Sequence, residues 1–463
     1  MKPLRKQGII IFSILALVLA ACGGDTTEET TVEETTPEVV ETLDSPAVTT
    51  ASGVETGVGV TSDPCPEAIG GIPTGADQSK GCIYLGMLND YTGPYAAAGP
   101  ALETAQRGFW LWANSAGGVG DYSVAIVEGT DTGYNPQRHL EAYNAQKENV
   151  AALAMSLGTV QTLFILDEMD KDNMVAAPMS WYSGWSYKSV DKGLVVEFGS
   201  AYCADGMNAV DWAIANLPVD IKTIGIMGGA GDYGSDWAAG VKYAAERNGL
   251  TVAWEYTPPS TEFDVAQAVG LMITQPVDAY FPAVVPSQMA QVAGGAAQQG
   301  VTPIAMLAAP AFNDAFVQEG FALKGLFESG AIYTMAWVAP YEYQSNAHAT
   351  MRATFASMGI DSASSFLVAG WSSQYHLKGV LEAAIKGGDL TRAGIRRAAA
   401  NVYVESDGMM LTRELGQDRA DKESFINIPD GNIASGVRML ASNYVGPSAE
   451  SYDFTQGPCF ASG

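Results

Sequence analysis

Three short stretches collect the side chains that could do chemistry. In "SLGTVQT" a strand gives way to a helix at Gly158, Thr159, Gln161 and Thr162. Small hydroxyls and free amides at a helix N-terminus suit an anion or a carboxylate, although Thr159 could equally be a plain cap. "PMSWYSGW" follows another strand with Ser180, Trp181, Tyr182 and Trp185, and "GDYGSDW" offers Tyr233. Aromatic walls with a few hydroxyls at strand ends are the material of a small-molecule pocket.

Other chemistries find less support. Gly229-Ala230-Gly231-Asp232-Tyr233-Gly234 matches G-x-G-x-x-G, with Glu255 about twenty residues on, the spacing of a dinucleotide fingerprint. Asp232 would set a carboxylate among the amides meant for a pyrophosphate, so a Gly-rich packing turn is the better reading. No G-x-S-x-G elbow, H-E-x-x-H or P-loop occurs, and no pair of carboxylates stands out by spacing. His139, His348 and His376 are far apart, and no cysteine spacing fits zinc. Binding without catalysis, metal or cofactor is the expectation.

The elements that must position these residues alternate. "CIYLGMLNDY", "SVAIVEG", "VAALAMSL" and "MVAAPMS" read as strands, separated by helices, one begun by Asn135-Pro136. The pattern resumes with a helix near 206–217, "TIGIMG", a helix over 234–248, "LTVAWEY", a helix near 263–274, "AYFPAV", a helix over 286–299 and "IAMLA". Helices near 346–358, 366–386 and 391–402 precede a strand-like tail. Such alternation means parallel sheets covered by helices, with ligands at the carboxyl ends of strands.

The start of the chain has its own logic. Lys2, Arg5 and Lys6 precede an apolar run, Ile9 to Ala21, too short to span a bilayer. Leu19-Ala20-Ala21-Cys22 resembles a bacterial lipobox, which implies cleavage before Cys22 and a lipid on its thiol. From Asp25 to Pro64 there is no Lys, Arg or aromatic residue, so residues 22–64 are expected to form a disordered acidic tether. The net charge of −27 argues against nucleic-acid partners. Cys65, Cys82, Cys203 and Cys459 allow three pairings in an exported chain. The favoured one joins Cys65 to Cys82 in a short loop and leaves Cys203–Cys459 to staple the C-terminus.

From about Cys82 to Val402 the chain resembles type I periplasmic binding proteins of the branched-chain amino-acid class that serve ABC transporters. The resemblance rests on "YTGPYAAAGPALETAQRGFWLWANSAGGVGDYSVAIVEGTDTGYNP", with Asn114, Gly117, Gly118, Val119, Asp131 and Pro136 at motif positions, and on the later loops. It implies two Rossmann-like α/β lobes with parallel sheets and a three-crossing hinge. After a signal over 1–21, the first lobe takes 65–200 and 333–408, and the second takes 201–332 and 409–463. It also implies a monomeric clamp that closes on a small amino-acid-like, amide or carboxylate ligand and delivers it to a permease and its ATPase, or in a sensor variant reports it to a receptor. By position, Thr159, Gln161, Thr162, Ser180 and Trp181 would meet the ligand from one lobe and Tyr233 from the other, with Trp337 a lid aromatic. The chain departs from the leucine binders at "MLAAPAFND", where Ala309 and Ala311 flank Pro310 and no carboxylate awaits an ammonium, and at Val284 and Val285, where a tyrosine is usual. A ligand other than an ordinary α-amino acid is therefore expected.

Overall fold

A computed structural model describes residues 48–49, 53–229, 233–259, 262–411, 413–416 and 421–461. The signal segment, Cys22 and most of the tether lie outside the described residues, as do Ala230, Gly231 and Asp232.

The first lobe opens with β1 (Glu55–Thr56), β2 (Val60–Thr61), β3 (Gly81–Asn89), α1 (Gly99–Ser115), β4 (Tyr122–Ile126), β5 (Thr130–Asp131), α2 (Pro136–Gln146), β6 (Ala152–Leu157), α3 (Thr159–Asp172) and β7 (Ala176–Met179). Its sheet runs β7-β6-β3-β2, with β4 and β5 also pairing β3. All pairings are parallel except the edge strand β2. Every residue of β6 and all of β3 but Tyr84 are buried, as strands covered on both faces must be. Asn135 caps α2 by accepting the Arg138 N–H, with Pro136 in the first helical turn.

The second lobe takes α4 (Tyr202–Asn216), β8 (Thr223–Gly228), α5 (Tyr233–Arg247), β9 (Thr251–Tyr256), α6 (Val265–Thr274), β10 (Ala279–Ala283), α7 (Pro286–Gln298), β11 (Ile304–Leu307) and β12 (Ile332–Ala336). The chain returns to the first lobe for α8 (Asn346–Ser357), α9 (Ser365–Lys386), β13 (Asp389–Leu390) and α10 (Arg392–Ala399). It closes with β14 (Ser424–Pro429), β15 (Val437–Tyr444) and α11 (Pro447–Ser451). The second sheet runs β9-β8-β10-β11-β12-β14-β15. It is parallel as far as β12, and the C-terminal strands β14 and β15 add to it antiparallel. The fold is α/β, as the alternation of elements predicts.

Three boundaries differ from expectation. The tether ends well before residue 64. β1 pairs with β13 and β2 with β3, the Tyr84 N–H donates to the Gly59 carbonyl, and Val54 and Thr56 are buried. A Val/Thr segment gains order by lending backbone groups to a sheet edge far away in sequence, which composition does not reveal. β12 runs to Ala336 within the second sheet, so the chain leaves that lobe after Ala336 rather than at 333. α4 starts at Tyr202, because Gly206 does not break it but lets it approach α5 closely. A Cβ at Gly206 would lie 2.7 Å from the Trp237 carbonyl oxygen. Disulfides join Cys65 to Cys82 and Cys203 to Cys459.

Asn114 ties α1 to its neighbours. Its amide donates to the Thr74 and Val124 carbonyls and accepts the Val124 N–H, each at 2.8 Å. Replacing it with alanine strands three buried backbone groups. Asn114→Ala should cost about 2–4 kcal/mol of stability, read as a lower denaturant midpoint with an unchanged slope.

Candidate ligand-binding site

The loops after β6 and β7, the start of α5 and the hinge converge on one cavity with about 440 Å³ of empty space, counting its mouth. Gly158, with φ of +105°, turns the chain from β6 into α3. The polar residues that follow bond to one another. Thr159 Oγ1 and Ser180 Oγ are 2.7 Å apart, and Ser180 Oγ also accepts the Trp185 indole N–H at 2.9 Å. Gln161 donates to the Tyr134 carbonyl at 2.8 Å. Thr162 donates to the Gly158 carbonyl at 2.7 Å and meets Ser156 Oγ. All four are buried, and none lines the cavity. They form the wall behind it.

The lining is aromatic and aliphatic. Tyr95, Leu102, Tyr134, Leu157, Met179 and Trp181 face it from the first lobe, Tyr202, Tyr233 and Pro310 from the second, and Trp337, Phe366 and Ala369 from the hinge side. Of the expected contacts, Trp181, Tyr233 and Trp337 meet there. Trp337 is stacked on Trp181, with ring centroids 3.3 Å apart and planes 5° from parallel. Tyr202 and Tyr233 approach to 5.2 Å, and Tyr95 and Tyr134 to 4.9 Å. Sequence reasoning missed Tyr95, Tyr134, Tyr202 and Pro310. Tyr95 and Tyr134 sit in strand-end loops of the quoted motif, where the same argument could have found them. Tyr202 was hidden by the late start assigned to its helix.

Among the described residues, no charged side chain lines the cavity. Two carboxyls lie behind it. Asp236, one turn along α5 from Tyr233, accepts the Ser183 N–H at 3.0 Å, the Ser183 hydroxyl at 2.6 Å and the Cys203 N–H at 3.3 Å. Asp205 accepts the hydroxyls of Ser200 and Ser424. Burial pushes Asp236 up to about 7 and Asp205 up to about 8, outweighing the hydroxyl hydrogen bonds that favour their charged forms. Both carry protons over much of the range below neutrality. Asp314, the nearest acid to the Pro310 turn, accepts from Ser364 and is raised by burial, and it does not reach this lining.

A family model described as periplasmic binding protein matches residues 82–424. The chain belongs to the periplasmic binding protein family. Among solved structures it is similar to a fatty acid ABC transporter substrate-binding protein from Thermomonospora curvata, at 24% identity over 87% of this chain and 97% of that one, with a TM-score of 0.76. It is also similar to a branched-chain amino acid ABC transporter protein from Thermus thermophilus with bound valine, at 12% identity over 80% and 98%, TM-score 0.67. A solute-binding protein from R. palustris in complex with 4-hydroxybenzoate matches at 14% over 79% and 97%, TM-score 0.65. No curated protein sequence matches the chain. This periplasmic binding protein is a binder and not an enzyme, and among its described residues no helix is long and apolar enough to cross a membrane. Cys203, Asp236 and Cys459 are grouped closely, but both sulfurs are committed to the disulfide.

The raised carboxyls set a pH dependence. An unfolded Asp releases its proton near 3.8, whereas the folded protein keeps those on Asp236 and Asp205 until about 7 and about 8. The folded state therefore holds extra protons across that window, and stability falls as pH rises through it. Asp205→Asn should flatten the decline. Parallel melting-temperature profiles for the two proteins between those pH values would contradict the assignment.

Proposed function

We propose that this chain is the extracytoplasmic solute-binding component of an ABC importer, and that its ligand is an apolar-bodied molecule with a hydrogen-bond acceptor, such as an aromatic or aliphatic carboxylate. One observation carries the reading: a cavity between two lobes whose described lining is rings and methyl groups, with tyrosine and tryptophan as its hydrogen-bonding side chains and no charge among those residues. An α-amino acid would bring an ammonium that finds no carboxylate among the described lining residues, and burying it unpaired costs several kcal/mol. A carboxyl group, by contrast, can accept hydrogen bonds from the tyrosine hydroxyls and tryptophan indoles there. The names of similar proteins support the direction, since one is a fatty acid binder and another holds 4-hydroxybenzoate.

In this reading Trp181, Tyr233 and Trp337 touch the ligand. Thr159, Gln161, Thr162 and Ser180 hold the wall that orients them. Contacts to both lobes favour the closed state by their differential affinity, and the closed clamp docks as a monomer on a permease and its ATPase. Export, cleavage before Cys22 and lipid attachment there would keep it at the outer face of a membrane, at the end of a short tether. Cys22→Ala should then release the protein from the membrane fraction.

Aromatic and straight-chain carboxylates should raise the melting temperature and quench tryptophan fluorescence, while leucine and valine leave both unchanged. Trp181→Ala should weaken the preferred acid about tenfold or more. A larger shift with leucine than with any acid would defeat the proposed ligand class.

A further inference from the structure

A second cavity, with about 540 Å³ of empty space, adjoins the first and shares Trp337, Phe366 and Ala369 with it. It lies between the start of α9 and the β12, β14 and β15 edge of the second lobe, and its described lining residues also carry no charge. Three of its residues offer polar atoms close to the sheet. The Thr334 hydroxyl donates to the Met335 carbonyl at 3.1 Å, and the Ser435 hydroxyl to Glu342 at 2.6 Å. The third, Asn427, is 2% exposed, and its amide oxygen has no hydrogen-bond partner. A buried acceptor without a donor is a rare and destabilising feature, and here it belongs to a residue in the wall of an apolar space.

We propose that this second cavity is a tail chamber of the ligand site, in which a slender unbranched chain headed in the first cavity passes Trp337 and Phe366 and ends with a hydrogen-bond donor at Asn427. The inference rests on the carboxylate-binding reading above and extends it to a ligand class, unbranched aliphatic acids, with ω-hydroxylated chains preferred. The partition is two ring side chains shared by both cavities, and a methylene chain must pass between them where a branched or bulky group cannot. Ala309 and Val437 line the tail chamber only, whereas Leu102 and Tyr134 line only the head cavity.

The test is calorimetric titration of the full chain with unbranched monocarboxylates from butanoate to dodecanoate and with their ω-hydroxy counterparts. Affinity should rise with length by roughly threefold to fourfold per methylene buried. Ala309→Phe, which fills the chamber from a half-buried position, should leave the shortest acids within twofold and abolish the gain on lengthening. Asn427→Leu should erase the preference for the ω-hydroxy compounds without affecting the short acids. A length gain that survives Ala309→Phe, or equal losses for short and long acids, would overturn the chamber. So would an ω-hydroxy preference that persists in Asn427→Leu. Binding of short acids with no length dependence in the unmodified chain would overturn the chamber and leave the solute-binding reading standing. No binding of any acid would overturn both.

Discussion

The hinge depends on one buried carboxyl. Asp205 accepts a hydroxyl hydrogen bond from Ser200, in the first passage between lobes, and another from Ser424, after the third. Trp337, in the second passage, lies on the same side and weakens the upward shift of its pKa. A single side chain thus gathers three segments that are distant in sequence. Burial keeps it protonated, which spares the hinge an uncompensated charge. The Trp181–Trp337 stack lies beside this arrangement, and both rings line the cavity.

A second set of contacts works across the seam from the other side. Ser183, in the loop after β7, donates twice to Asp236 on α5 and also accepts the Cys459 N–H at 3.0 Å. Tyr182 donates its hydroxyl to the Phe460 carbonyl at 2.6 Å. The disulfide from Cys459 to Cys203 holds the C-terminal segment at the start of α4, where these bonds can form. The tail is therefore a strap that begins on the second lobe and ends against a loop of the first. Covalent and hydrogen-bonded ties together cross the seam between the lobes.

Charge is partitioned sharply. The chain carries a net −27, yet among the described residues the two cavities are lined without a charged side chain. Acidic surface favours solubility and repels like-charged neighbours, while neutral, ring-lined space selects solutes by shape and apolar area. Hydroxyl and amide groups near the site are spent on one another, as Thr159 and Ser180 are. Rigidity of the wall, more than direct polar contact, is what those residues contribute.

Much of this was readable in the letters. Alternating apolar runs and helical spacings imply the α/β order, the Asn135-Pro136 start of α2 is visible, and Trp181 and Tyr233 stand out at strand ends. These features are local: they follow from side-chain periodicity, capping and turn chemistry within a few residues. The sequence by itself determined which elements form and in what order. Only the tertiary structure decided that residues 55–61 join sheets, that Thr159 and Thr162 turn into the wall, and that Tyr202 and Pro310 reach the cavity. It also decided that Trp337 lies flat on Trp181. Most of those outcomes depend on partners tens to hundreds of residues away, although Thr162 bonds locally, to Gly158 and Ser156. A hydroxyl bonds to whichever partner the packed chain brings near, as Thr159 does to Ser180.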